Sequence, residues 1–389
     1  MVDSNVISKF LQQIHDSIDI VMCNKNIPAN DERLSPMTYK KLKELGYSSE
    51  DWHDWSQEHA NEIVRRGIKQ NSKSENAKNL ESYKSKKLNQ QTLETKPIKK
   101  LAYEEDRELY EKLTGPNAKG VTYDEIINSN IVNVLKNKQK DHEKSYREKY
   151  NLPDNFYTSD DNTEDRNNLR KQWAKELLSR GSISGYDENG KPKYDGPVKK
   201  EYRAEIVLGA PAAGKSSVIV DKVSKKYGSQ VVDSDEIKQL IPEFNGGIGA
   251  NLVHEESSDI VLNTMVIPEY KRGGINNGNN IVIPIVGSNP RTAKAYLNLL
   301  KNAGYTVHLS LNEVDSKTSL SRSIIRAIET GRFQSPEYLI SVGNKPTKTY
   351  EYLKSFNEDG IHFDSFTKYN NDVPKGQPAQ LIEHENYEE

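Results

Sequence analysis

Residues 209–217 read GAPAAGKSS, and the spacing of this nonapeptide restricts what the chain can fold into more than any other feature. Gly209, Gly214, Lys215 and Ser216 occupy the four fixed places of the phosphate-cradling loop G-x-x-x-x-G-K-[ST]. Such a loop works between a buried strand and a helix, because its amides must converge on an anion at a helix N-terminus. Both flanks comply. Residues 204–208 (AEIVL) read as a buried strand, and 217–227 has helical spacing with Val218, Val220 and Val223 as packing positions. Gly209 and Gly214 are expected to supply positive φ, which turns successive N–H groups inward. Lys215 then reaches the β- and γ-phosphates and the Ser216 hydroxyl holds Mg²⁺. Ala210, Pro211, Ala212, Ala213 and Ser217 complete the expected ATP-binding loop.

The rest of the composition narrows the class. At 389 residues the length suits two or three domains, with ample chain for an α/β core. Hydrophobic residues make up only 34% and mean hydropathy is −0.85, so part of the chain is expected to be helical and solvated rather than core. The formal net charge of −2 gives no global attraction to nucleic acid or to an acidic membrane surface. The single cysteine, Cys23, excludes an intramolecular disulfide and a cysteine-based zinc site. No stretch has the apolar length of a signal peptide or a membrane span, and the expected location is the cytoplasm.

Along the chain, 1–70 reads as a helical module. Residues 4–22 place Val6, Phe10, Leu11, Ile14 and Ile18 at near-helical intervals, and 49–66 opens on a helix start signal. Trp52 and Trp55 are read as packing residues there. Residues 71–100 are a polar Lys/Asn-rich helix or linker. The span 101–195 carries helical patterns at 103–113, 123–135 and 168–178, then ends in the turn-rich stretch 179–198, read as a domain boundary. From 196 to 385 short apolar strands alternate with helices. Strands are expected at 204–208, 230–232, 281–286, 306–311 and 361–366, giving a three-layer α/β domain with a parallel five-stranded sheet behind a mostly α-helical N-terminal region.

A phosphate loop alone specifies a nucleotide, not a reaction. Just past the second strand, VVDSDEIK places Asp233 and Asp235 where the carboxyl ends of the strands open. Asp235 is read as the base that takes a substrate proton, and Asp233 as a group behind the magnesium ion or a turn-former; both could instead cap the next helix. The HEES of 254–257 matches the first half of a zinc-protease helix, but position 258 is a serine, which excludes that reading. Glu255 and Glu256 are read as acceptors for a polyhydroxylated substrate, with Ser288 at a strand end facing the same crevice. Arg322 and Arg326 share one helical face and Arg332 follows a glycine. Arginines so placed neutralise charge on a transferring phosphoryl group.

Taken in order, GAPAAGKSS, VVDSDEIKQLIPEF, VHEESSDI, GSNPR, NAGYTVHLSL, RAIETGRFQSPEYL and FDSFTKYNND resemble the zeta-toxin family of phosphate-loop kinases over about residues 200–375. The resemblance implies phosphorylation of the 3′-hydroxyl of the amino sugar of UDP-N-acetylglucosamine by ATP and Mg²⁺, in a growth-inhibiting toxin. It assigns Lys215 and Ser216 to ATP and magnesium, Asp235 to the base, Glu256 or Glu255 and Ser288 to the sugar, and Arg326 and Arg332 to the γ-phosphate. Alternatives are a kinase of the same fold acting on NAD or a polynucleotide end, or an ATP-sensing module without transfer. The sequence departs from the family pattern at Val286 and Ser288, where the family carries an acid and a threonine, and in the longer connection 268–280. Family members are restrained by a small helical antitoxin, so the N-terminal helices are expected to be a docking module or an in-chain inhibitor.

Overall fold

The computed structural model describes residues 98–115, 121–180, 183–186, 192–194, 196–266, 274–357, 360–374 and 377–386. The helices expected within 1–70, Trp52, Trp55, Cys23 and nearly all of the 71–100 linker lie outside the described residues. Strands β1 (Ile183–Tyr186) and β2 (Pro192–Tyr194) form a small antiparallel pair inside the turn-rich stretch. The main sheet contains β3 (Arg203–Leu208), β4 (Gln230–Val231), β5 (Ile281–Ile285), β6 (Thr306–Glu313), β7 (Ser365–Asn370) and β8 (Gln380–Asn386), in the order β4-β5-β3-β6-β7-β8. The first five are parallel and β8 runs antiparallel to β7.

The sheet therefore has six strands, not five. The sixth, QLIEHEN, is exposed along nearly its whole length and so offers no apolar run to read. The strand expected at 361–366 lies instead at 365–370. Phe363 is fully buried but belongs to the approach to β7, while the strand itself, SFTKYN, is largely polar. An apolar signal marks burial and not strand pairing, and here the two are offset by a few residues.

Alternation along the strands sorts the two faces. Ile206, Leu208, Ile283, Leu309 and Leu311 share one core with Leu297 and Leu300 of α9 (Pro290–Asn302) and with Tyr350 and Leu353 of α12 (Lys345–Lys354). Val207, Val231 and Val282 pack on the opposite face against Val218, Ile219, Val220 and Val223, which belong to a π-helical turn (Ser216–Val220) and the following α6 (Asp221–Tyr227). Each of these fully buried aliphatic side chains contributes on the order of 1.5–3 kcal/mol relative to exposure.

The N-terminal helices are α1 (Ile98–Glu105), α2 (Arg107–Thr114), α3 (Tyr123–Ile127), α4 (Asn130–Lys149) and α5 (Glu164–Arg180). The 103–113 pattern is broken at Asp106, whose side chain accepts a hydrogen bond from Leu109 N and so starts a new helix. Leu109, Leu113, Ile126, Ile131 and Leu135 share a core with Leu320, Ile324, Ala327 and Ile328 of α10 (Ser316–Thr330). Trp173 and Ala174 of α5 join the core on the sheet itself. The turn-rich stretch 179–198 changes composition but does not separate two cores.

Candidate active site

Leu208 pairs with Ile285 on one side and with Leu311 on the other, so β3 and β5 end at one level and β6 runs two residues further. The connections 209–217, 286–289 and 314–315 therefore leave the sheet side by side, at the carboxyl edge where open α/β sheets bind ligands. The phosphate loop is fixed there by three side chains. Asn312 and Asn371 each donate from Nδ2 to the Ala213 carbonyl, at 2.7 and 2.6 Å, and Ser319 Oγ donates to the Pro211 carbonyl at 2.6 Å. Sequence reading misses all three; the asparagine ending the apolar alternation of β6 is the one available clue.

The loop's left-handed residues are Ala212 (φ 55°) and Gly214 (φ 85°). This corrects the expectation for Gly209, which is needed for a different reason: a Cβ there would sit 2.8 Å from the Asn312 carbonyl oxygen. At Gly214 a Cβ would meet Asn371 Nδ2 at 2.6 Å. Lys215 curls over the loop and donates to the carbonyls of Gly209 (2.7 Å) and Ala210 (3.1 Å). Burial pushes it down to about 8; Asp233 and Asp235 oppose that shift, and Arg326 and Arg332 add to it. Ser216 is exposed where the helix begins, and Ser217 Oγ bonds back to the Gly214 carbonyl at 3.3 Å.

Asp233 and Asp235 take different parts. Asp233 caps α7 (Ser234–Leu240) by accepting from Asp235 N at 2.9 Å, and burial beside the Asp235 carboxylate pushes it up to about 6. Asp235 makes no cap. Arg332 grips both its oxygens at 2.7 Å, and Lys238 Nζ lies 3.1 Å from Oδ1. Burial alone would raise Asp235, but the Arg332 and Lys238 cations outweigh it and hold it below the usual carboxylate range. Lys238 is buried and was not read from the sequence.

Arg332 reaches Asp235 because Gly331 (φ 77°) ends α10 in a left-handed cap and turns the chain back. The 3₁₀ segment Pro242–Gly247 backs it: a Cβ on Gly247 would lie 3.1 Å from Arg332 Cβ. Arg326 Nη2 donates to Gln334 Oε1 at 2.7 Å, while its buried Nε has no partner. Burial, with Arg332 beside it, lowers Arg326 to about 10. Arg322 instead bonds the carbonyls of Asn371 and Val373 at 3.0 and 3.2 Å, so it braces the exit of β7.

The expected sugar contacts divide. Glu256, at the start of α8 (His254–Val266), is buried, with both oxygens engaged: Arg166 Nε to Oε1 at 2.7 Å, Arg166 Nη2 to Oε2 at 2.6 Å and Arg170 Nε to Oε1 at 2.8 Å. Its carboxylate is committed to α5, which corrects the expectation that it accepts from a substrate. Glu255 is half-buried and accepts from Ser159 Oγ at 3.0 Å. His254, pushed down to about 4 by burial and by Lys238, lies in the field of Asp235 and Arg332, so this end of α8 borders the Asp235 group. Ser288 is half-buried just past β5, where the Val286 carbonyl accepts from Gly209 N at 3.3 Å.

These residues fit a magnesium nucleoside triphosphate. Two positions in the loop exclude a Cβ, and Arg326 holds an unpartnered buried N–H. Mg²⁺ binds through one or two protein oxygens plus phosphates and keeps several waters. Ser216 and Asp233 are the residues that would supply those oxygens. Among the described residues no group of three or more His, Cys, Asp or Glu could cage a metal, and no helix is long and apolar enough to cross a membrane.

Residues 193–361 match the Zeta toxin family model. Among solved structures, a chain of the PezAT chromosomal toxin-antitoxin system of Streptococcus pneumoniae is 20% identical over 58% of this chain and 83% of that one, with a TM-score of 0.41. Chains of the AvrRxo1-ORF1:AvrRxo1-ORF2 complex, native and with ATP, are 14% and 15% identical over 57% of this chain and 68% of theirs, each with a TM-score of 0.39. No curated protein matches the chain.

Proposed function

We propose, from a zeta-toxin domain at residues 193–361, that the protein is an ATP-dependent kinase acting on a hydroxyl of a nucleotide-sugar, with the 3′-hydroxyl of UDP-N-acetylglucosamine's amino sugar as the acceptor. The observation that carries this is convergence. A phosphate loop, a carboxylate and two arginines from distant parts of the chain meet at the carboxyl edge of one sheet, and a site that only senses ATP needs the loop but not the carboxylate.

In this reading the loop amides and Lys215 hold the triphosphate, and Arg326 and Arg332 take the charge that builds on the γ-phosphoryl group. Ser216 would hold magnesium, with Asp233 behind it, and the ion would supply neutralising charge to the phosphates. The acceptor oxygen forms a bond to the γ-phosphorus as the bond to the ADP oxygen breaks, and its proton passes to Asp235. In the ligand-free site Asp235 is a weak base because Arg332 and Lys238 saturate it. A γ-phosphate competes for Arg332, and drawing that cation away raises the proton affinity of Asp235 when the nucleotide arrives. Glu255 and Ser288 are the residues offered to the sugar. Growth inhibition follows from depleting such a precursor, and a separate helical antitoxin is the expected restraint.

One observation favours a second acceptor. Val286 stands where the resemblance calls for an acid, which removes a sugar-side acceptor and fits NAD or another dinucleotide as well. Incubation with Mg-ATP and a panel of UDP-sugars, NAD and oligonucleotides, read by the mass gain of one phosphate, separates these. ATP binding with no phosphate gained by any of them leaves the sensing reading. Asp235→Ala should keep ATP affinity and lose transfer by about 10²–10⁴-fold, whereas Lys215→Ala should lose both. Equal loss of ATP binding in the two variants contradicts the assigned roles.

A further inference from the structure

Besides packing Trp173 on the sheet core, the helices before the α/β unit hold two of its helices that carry residues of the proposed site, α8 and α10. At the first, α5 and the turn before it hold the acidic end of α8. Arg166, 6% exposed, bridges Glu256 and Glu243, lies 5.4 Å over the Trp173 ring, and is kept charged against burial by the two carboxylates. Arg170 adds a second cation to Glu256 and donates to the Thr158 carbonyl at 3.0 Å. Thr158 in turn donates through N and Oγ1 to the Leu252 carbonyl, both at 3.0 Å, and Ser159 reaches Glu255.

The second contact supports the arginine-bearing helix. Leu109, Leu113 and Ile131 bury against Leu320, Ile324 and Ala327, on the helix that carries Arg326. The Tyr123 hydroxyl pairs with the Ser316 hydroxyl at the start of α10, and at its end a Cβ on Gly331 would lie 3.1 Å from Ile98 Cδ1. One continuous set of helices thus grips both ends of α10 and the acidic start of α8.

We infer that residues 98–180 are a brace that sets the spacing between the carboxylate wall and the arginine wall of the crevice, and that Arg170 and Tyr123 are positioning residues for the transfer, not parts of an in-chain inhibitor. This rests on the kinase reading. Among the described residues these helices pack on α8, on α10 and on the sheet core, as a support does. A buried salt bridge need not add net stability, because desolvating its charges offsets their attraction.

The test uses the full chain, with UDP-N-acetylglucosamine as acceptor probe. Arg170→Gln leaves Glu256 paired with Arg166, so the fold is retained. It should raise the acceptor KM by about tenfold with the ATP KM changed by less than about twofold, and Arg170→Lys should restore part of the loss. Tyr123→Phe should lower kcat by about three- to tenfold without moving the acceptor KM. Backbone amides of 254–261 should exchange faster in Arg170→Gln, and those of 316–330 in Tyr123→Phe. Raised turnover in either variant would show inhibition and overturn the brace. Unchanged kinetic constants with only a lowered melting temperature would overturn it as well. If the wild-type chain transfers no phosphate to UDP-N-acetylglucosamine, that acceptor has failed, and the exchange data still decide: unchanged protection in both segments sinks the brace on its own.

Discussion

Lys215 shows how much of this site's chemistry is electrostatic accounting at single residues. Its ammonium rests on two loop carbonyls and is pushed down to about 8, because burial costs more than the nearby carboxylates return. A triphosphate would reverse that balance. At pH 8 roughly half of the free protein's Lys215 is neutral, so nucleotide binding should take up about half a proton, falling towards zero at pH 6. Calorimetry in buffers of different ionisation enthalpy reads this directly, and proton release at pH 8 would contradict the placement of Lys215 on the phosphates. Asp233 and Asp235 make the same point in opposite directions. Two residues apart, Asp233 is pushed up to about 6 by burial and by the Asp235 carboxylate, while Asp235 is held low because Arg332 and Lys238 bond it directly. That assignment was only half legible in VVDSDEIK. The spacing marked both carboxylates, but which one caps and which one is paired depends on an arginine 97 residues away.

At the scale of elements, the loop is held by strands and a helix that carry no motif. Ala213's carbonyl receives two side-chain amides, from the end of β6 and the exit of β7, so the shape of the loop depends on the register of two strands. Asn371→Ala removes one of these donors and should cost about 1–2 kcal/mol of stability and weaken ATP binding by roughly tenfold. A thermal melt and a nucleotide titration of the variant check both, and an unchanged ATP affinity would mean the loop needs no clamp. The strands that matter most here were the easiest to place: β3, β5 and β6 stand as expected because their buried faces are continuous apolar alternations. β7 was displaced by four residues and β8 went unread, since strands at the sheet's far side are held by pairing with little apolar burial. The helices broke where a polar side chain captured a backbone N–H, at Asp106 and Ser129, a competition that periodicity alone does not weigh.

Across the whole molecule, the helical half and the α/β half share cores through α10 and through Trp173. Residues 98–180 and the sheet should therefore lose structure together. In native-state hydrogen exchange, the most protected amides of α4 and of β6 are expected to open with the same free energy and the same denaturant dependence. An N-terminal half that opens well before the sheet would show two independent units and remove the basis for the brace. By itself the sequence determined the strand-loop-helix unit and the α/β class, and it marked the phosphate-loop motif and most of the charged residues near it, because each rests on spacing within a few residues. Only the tertiary structure decided which charges meet. It placed Arg332 on Asp235, gave Glu256 to Arg166 across 90 residues and left Glu255 bonded to Ser159. Several carboxylates could chemically accept each arginine, and the choice among them is made by which helices pack together.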